Sequence, residues 1–249
     1  MKTLALIAVR DEERFLPGYF AHLRNFVDGF AVVDDGSVDA TWSLIQKEPK
    51  LSFSFRREVR AADHFFEIEN RELLLNAAKD LGAEWVLGCD ADERYEMAFL
   101  KNMAALQNEA EKREKRAIAL QVFGLWNSPV TYRADTPIGR LSKFVLFKVP
   151  TEISYADRPK RALHSSWLPV AMMNPAYHWS TDYRIYHLRS VHPADRIRRF
   201  EKFRRIDPEN KWQPVGYDHL VSEVGIELKT IEPGREFDLL SLPPDMMIK

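Results

Sequence analysis

The sequence predicts an α/β protein built on an open, mostly parallel sheet flanked by helices, with an irregular C-terminal half. Short continuous apolar runs alternate with stretches of helical period, in units of about 25–30 residues, over the first hundred positions. Such alternation implies parallel pairing through helical crossovers. It stops after roughly four strands, too few to close a barrel.

Residues 4–9 are a continuous apolar run, the pattern of a strand covered on both faces. Phe15, Tyr19, Leu23 and Phe26 with Val27 then recur at helical spacing, and Pro17 lies near that helix's start. Residues 30–33 form a second buried strand that runs into Asp34-Asp35-Gly36-Ser37. Ser37 and Asp39 are both able to cap the helix carrying Trp42 and Leu44-Ile45. Leu51, Phe53 and Phe55 alternate with polar residues as a strand does. A helix follows over residues 67–81, with Leu73-Leu74, Ala77-Ala78 and Leu81 on one face. Residues 84–89 are the next strand, entering Asp90-Ala91-Asp92-Glu93. Past a charge run at 109–115, read as a solvated helix end, strands are expected at 117–125 and 143–148. Proline- and aromatic-rich loops dominate from 126 to 182, and a helix returns over residues 193–206. Its expected buried stripe is Ile197, Phe200, Phe203 and Ile206. With no repeat and no linker, residues 1–249 read as a single domain.

Composition narrows the partners. Apolar residues make up 45%, enough for a real core, and the formal net charge of -1 argues against a nucleic-acid partner. The single cysteine, Cys89, allows no internal disulfide. The opening apolar run meets Arg10-Asp11-Glu12-Glu13 too soon for a signal peptide, and nothing approaches the roughly 20 apolar residues of a membrane helix. A cytoplasmic location is expected, with at most peripheral membrane contact.

In an open parallel sheet, ligands bind outside the carboxyl ends of the strands. Three strands end there in acids: Arg10-Asp11-Glu12-Glu13, Asp34-Asp35 and Asp90-Ala91-Asp92. Carboxylates so close repel unless a positive charge or a proton neutralises them, and a divalent cation is the simplest agent. With oxygen ligands only, Mg2+ or Mn2+ fits better than zinc. No glycine-rich loop follows the first strand and no Gly-Lys-Ser/Thr is present, so a phosphate would be held by metal and basic side chains.

At these residues the chain resembles the family 2 glycosyltransferases, which have the GT-A fold. Ile7-Ala8-Val9-Arg10-Asp11-Glu12-Glu13 looks like that family's opening strand and turn. Val33-Asp34-Asp35-Gly36-Ser37-Val38-Asp39-Ala40-Thr41 matches its Asp-Asp-Gly-Ser-x-Asp-x-Thr segment, and Asp90-Ala91-Asp92-Glu93 has its Asp-x-Asp form. The match covers roughly the first hundred residues. It implies a nucleotide-sugar-binding half over residues 1–115 and an acceptor-binding half over 116–249. It also implies nucleotide contacts at Ala8, Arg10, Glu12, Asp35 and Asp90, with Asp35 bonding the base, typically uracil. Asp90 and Asp92 would meet the metal. Ala8 and Arg10 replace the family's usual Pro and Tyr, and the Gln-x-x-Arg-Trp motif of processive synthases is missing.

The resemblance implies a hexosyltransferase-type enzyme that moves a sugar from a nucleotide-diphosphate donor, a UDP-sugar by family habit. The acceptor would be a saccharide or glycolipid and the configuration would invert. An acceptor-side carboxylate or histidine must then take the hydroxyl proton, and Asp157 and Asp182 are candidates. A late histidine often contacts metal or diphosphate in related transferases, and His187 occupies that place, with His164 as an alternative. The basic helix from Ala194 to Arg205 reads either as a solvated face, as a partner for the diphosphate, or as a contact for anionic lipid. Trp126, Trp167 and Trp179 are either sugar-stacking platforms or core. Two other functions stay open: a sugar-phosphate nucleotidyltransferase and a non-catalytic carbohydrate-binding protein of the same fold.

Overall fold

The computed structural model describes residues 1–59, 66–135, 141–156 and 166–247. Strands β1 (Thr3–Val9), β2 (Gly29–Asp34), β3 (Leu51–Arg56) and β4 (Trp85–Gly88) pair in parallel in the order β3-β2-β1-β4. Alternate residues serve two cores, which is why these strands read as unbroken apolar runs. Ala5, Ile7, Val9, Phe30 and Val32 pack with Leu16, Tyr19, Phe20 and Leu23 of helix α1 (Leu16–Leu23). Leu4, Leu6, Ala31 and Val33 pack on the other face with Leu74, Leu75 and Ala78 of helix α3 (Glu67–Asp80). Helix α2 (Thr41–Gln46) lies between β2 and β3 in the chain.

The second half extends the same sheet. It supplies β5 (Glu93–Tyr95), α4 (Met97–Lys112), β6 (Ala117–Gly124), β7 (Thr131–Arg133), β8 (Ser142–Lys148), β9 (His178–His187), α5 (Pro193–Ile206) and β10 (Leu228–Thr230). The eight-stranded order is β3-β2-β1-β4-β8-β6-β9-β5, while β7 and β10 make a separate antiparallel ribbon. Within the large sheet, pairings of β4 with β8, β6 with β8, and β5 with β9 are antiparallel and the other four parallel. The GT-A-like, mostly parallel sheet flanked by helices is therefore present. Among the described residues, no helix is long and apolar enough to cross a membrane.

Two expectations are corrected. Strand β9 occupies part of the region read as loop. Its leading half, residues 178–182, has no apolar alternation; His178, Trp179 and Ser180 pair in parallel with β6, and Thr181 and Asp182 lie in the register shift between Ala119 and Gln121. The stripe of α5 differs too: Asp195, Arg196 and Phe203 are buried, whereas Ile197 is 49% exposed. Ion pairing outweighs the apolar pattern here. Arg196 covers the Trp126 ring at 3.9 Å and bonds Glu223, Asn127 and the Ser190 carbonyl.

Short strand β5 depends on polar anchors. Buried Arg94 donates to the carbonyls of Ala91, Glu93, Phe15 and Ser241, tying the turn after β4 to α1 and to the C-terminal segment. That segment approaches so closely that a Cβ on Gly18 would lie 1.9 Å from the Ser241 carbonyl oxygen. The Tyr95 amide donates to His22 Nε2 at 3.0 Å. Burial, reinforced by the Arg94 charge, lowers His22 to about 3 and keeps it neutral. The unfolded chain takes up a proton near pH 6.5 that the folded one refuses, so stability is lost as pH falls below that value. Between pH 7.5 and 5 the protein should lose about 2 kcal/mol more than His22→Gln, whose amide oxygen still accepts from Tyr95. Urea titrations at the two pH values measure this, and equal losses would refute it.

Candidate active site

The carboxyl ends of β1, β2 and β4 lie side by side, with Val9 opposite Asp34 and Leu6 opposite Gly88. The turn after β1 is laced to the turn after β2. Backbone amides of Asp11, Glu12 and Glu13 donate to Ser37 Oγ, Thr41 Oγ1 and Asp39 Oδ2, at 2.9, 2.8 and 3.1 Å. In return Asp11 and Glu13 carboxylates accept from the amides of Val38 and Ala40. Asp11 sits at φ 54°, in the left-handed region. The helix-cap expectation for Ser37 gives way to this tie, and Asp39 splits its oxygens between Glu13 and the Thr41 amide.

The paired acids of β2 have separate tasks. Asp34 is fully buried, accepts from the Ser37 amide at 2.8 Å and meets Arg56 at 3.2 Å, so it shapes the turn. Asp35 lies between Arg10 at 3.3 Å and Arg57 at 3.4 Å. Arg10 Nε also donates to the Asp35 carbonyl at 2.7 Å, and Arg57 Nε donates to Asn70 at 2.7 Å. Asp35 Oδ1 is buried without a hydrogen bond. Ala8, half-buried, packs against the α3-side core.

After β4, two protein cations each bridge two acids. Lys143, from β8, donates to Asp90 Oδ2 at 2.9 Å and to Glu93 at 2.7 Å. Arg189 donates from Nε to Asp92 Oδ2 at 2.6 Å and from Nη2 to both Glu12 oxygens, at 2.5 and 2.6 Å. Pairing of Glu93 with His187 in the β5–β9 ladder, and the Leu188 amide on the Asp92 carbonyl, bring Arg189 there. His187 Nε2 lies 3.5 Å from the same Asp92 Oδ2. Burial pushes Glu12 and Glu93 up to about 7 against the pull of Arg189 and Lys143. Burial opposes ionisation of Asp92 as well, yet His187 when protonated, together with Arg189 and Arg199, holds it well below the carboxylate range. Burial lowers His187 to about 4, so its ring is neutral and can offer a lone pair. From α5, Arg199 acts electrostatically on Asp92 and Asp90, and Lys202 on Glu12.

Among the described residues, no three His, Cys, Asp or Glu side chains converge as a ready-made metal cage. Asp90, expected beside Asp92 as a ligand, is engaged by Lys143. Asp92 and neutral His187, 3.5 Å apart, still fit as two neighbouring ligands of one divalent ion. Magnesium-type ions commonly use one or two protein ligands and complete their shell with water and substrate phosphates.

Other expected residues lie elsewhere. Asp182 is exposed, five residues up β9 from His187, and paired with Arg235 at 2.8 Å. Asp157 and His164 lie outside the described residues. Trp126 and Trp167 are buried, covered by Arg133 and Arg196 and by Arg71; Trp179 lies under Arg113. Lys143, Arg57 and Arg94 were missed by sequence reasoning. Only Lys143 left a signal, as a charge beside the apolar run Phe144-Val145-Leu146-Phe147 of β8.

Fold and site together define an α/β protein with a mixed-charge edge at the carboxyl ends of its parallel strands. No family model and no curated protein matches this sequence. Among solved structures it is similar to S. aureus TarS residues 1–349, with 18% identity over 90% of this chain and 70% of that one, TM-score 0.49. A longer TarS chain is matched over 42% of its length. A putative nucleotide-diphospho-sugar transferase from Desulfovibrio desulfuricans G20 shows 14% identity over 89% of this chain and 97% of that one, TM-score 0.46. At such values these likenesses assign neither family nor activity.

Replacing Lys143 by Met should cost about 3 kcal/mol, because buried Glu93 would lose its partner. Adding Glu93→Gln should recover most of that loss, as seen in chemical denaturation of the single and double variants. A single variant as stable as the parent would show that the bridge contributes nothing.

Proposed function

We propose that this protein transfers a sugar, a hexosyl group, from a nucleotide-diphosphate donor to a saccharide or lipid-linked acceptor with inversion. One observation carries the reading: carboxylates and cations of five parts of the chain meet along one edge of the parallel sheet. Asp35 and Arg10 stand at one end, Asp92, His187, Arg189 and Glu12 at the other, and α5 contributes Arg199 and Lys202. The motif resemblance of residues 7–13, 33–41 and 90–93 favours the same chemistry.

Asp35 would accept from a nucleobase N–H, such as N3–H of uracil; its Oδ1, buried without a hydrogen bond among the described residues, lies 3.4 Å from Arg57, which would have to give way, and Arg10 holds Oδ2. Asp92 and His187 would hold the divalent cation, Mn2+ or Mg2+, that accompanies the diphosphate. When bound, that ion stabilises negative charge on the leaving diphosphate. Lys143 fixes Asp90 and Glu93, so the turn presenting Asp92 is preset. Arg199 and Lys202 supply further positive charge for the phosphates.

Thermal unfolding against UDP, GDP, CDP and ADP, with and without Mn2+, tests the reading. One diphosphate at a hundred times its dissociation constant should raise the melting temperature by roughly 5–10 °C, and only with Mn2+. Asp92→Ala should abolish the rise. If no diphosphate shifts the parent protein under either condition, the donor-site reading fails.

A further inference from the structure

Arg189 occupies the position that a metal-bound donor would contest. Its Nε sits 2.6 Å from Asp92 Oδ2, the oxygen that also faces His187 Nε2 at 3.5 Å. A divalent ion bonded to that oxygen at about 2.1 Å would lie less than about 5 Å from the guanidinium, a like-charge contact in a partly buried site. The metal and Arg189 therefore compete for one carboxylate oxygen. Glu12 shares in the contest, since its two oxygens close on Arg189 Nη2 and hold the arginine in place. The Arg189 guanidinium also rests on the Phe15 ring, 5.0 Å from its centre, an apolar platform on which it can swing without breaking a backbone contact. Arg199 and Lys202 act electrostatically on the same acids.

Resting on the donor-site reading above, we propose that Arg189 is an exchangeable counter-ion. Without ligand it bridges Asp92 and Glu12. When metal and nucleotide diphosphate bind, it yields Asp92 to the metal and turns its charge to the phosphates. The exchange makes the two ligands cooperative. Metal alone must displace the arginine with nothing to receive it, and diphosphate alone must draw it from two carboxylates. Together each lowers the other's cost, by the same factor.

The test measures Mn2+ affinity without nucleotide, by electron paramagnetic resonance of free Mn2+, and UDP affinity at saturating Mn2+, by calorimetry. Arg189→Met keeps an unbranched stem over Phe15. It should bind Mn2+ alone about tenfold more tightly and UDP about tenfold more weakly. Arg189→Lys keeps the charge but cannot bridge both carboxylates as a fork does. It should gain Mn2+ affinity while holding UDP affinity within about threefold, and it carries the test if the Met variant does not fold. A purely structural role would weaken both ligands together. That result, or unchanged Mn2+ affinity in the folded variants, overturns the proposal while the donor-site reading stands. Where GDP, CDP or ADP binds the parent in place of UDP, it takes the place of UDP in the calorimetry; if the parent protein binds none of UDP, GDP, CDP and ADP with Mn2+, the donor-site reading falls and the exchange with it.

Discussion

Glu12, Asp92 and Glu93 are brought to one sheet edge, largely shielded from water, with exposed Asp90 beside them, and there like charges repel strongly. Neutralising them constrains much of the surrounding architecture. Lys143 must arrive on β8 between two of these acids, and Arg189 must follow β9 closely enough to span the other two. Both contacts require the sheet to continue past β4 into antiparallel pairing, and both fix the turn after β4 from the side that Arg94 does not reach. The same need turns α5 so that its charged side, not its apolar residues, meets the site.

The halves of the molecule differ in how they were written into the sequence. Strands β1 to β4 are buried on both faces, so each is an apolar run bounded by turn residues, and local pattern suffices to find it. Their acidic ends were legible for the same reason, since a carboxylate after a buried strand stands out. The leading half of strand β9 was not legible. Its His178-Trp179-Ser180 segment takes its conformation from pairing with β6, some sixty residues earlier. Lys143 and Arg57 have meaning only through partners distant in the chain. Ser37, Asp39 and Thr41 were visible as a motif, but their task of lacing two turns together appears only when the turns meet.

Arginine recurs as the element that joins polar and aromatic parts. Arg94 gathers four backbone carbonyls at the base of the site, and Arg71 spans Glu67 and the Ser166 carbonyl over Trp167. Arg133 and Arg196 enclose Trp126. A planar, permanently charged fork with an apolar face suits positions where a carboxylate and a ring are both near. The tryptophans that looked like sugar platforms are in this way occupied by the protein itself.

The distance along the chain between the acids and their cations bears on how the molecule assembles. Glu12 meets Arg189 across 177 residues, Asp92 meets it across 97, and Asp90 meets Lys143 across 53. As synthesis proceeds, the four-strand nucleus can form before either cation exists, with a repelling acidic rim. Strands β8 and β9 then join as counter-charges as well as hydrogen-bonding neighbours, drawn in by a field that dissolved salt weakens. Added salt is thereby expected to weaken the attraction of β8 and β9 to the acidic rim, which refolding rates at two salt concentrations would show.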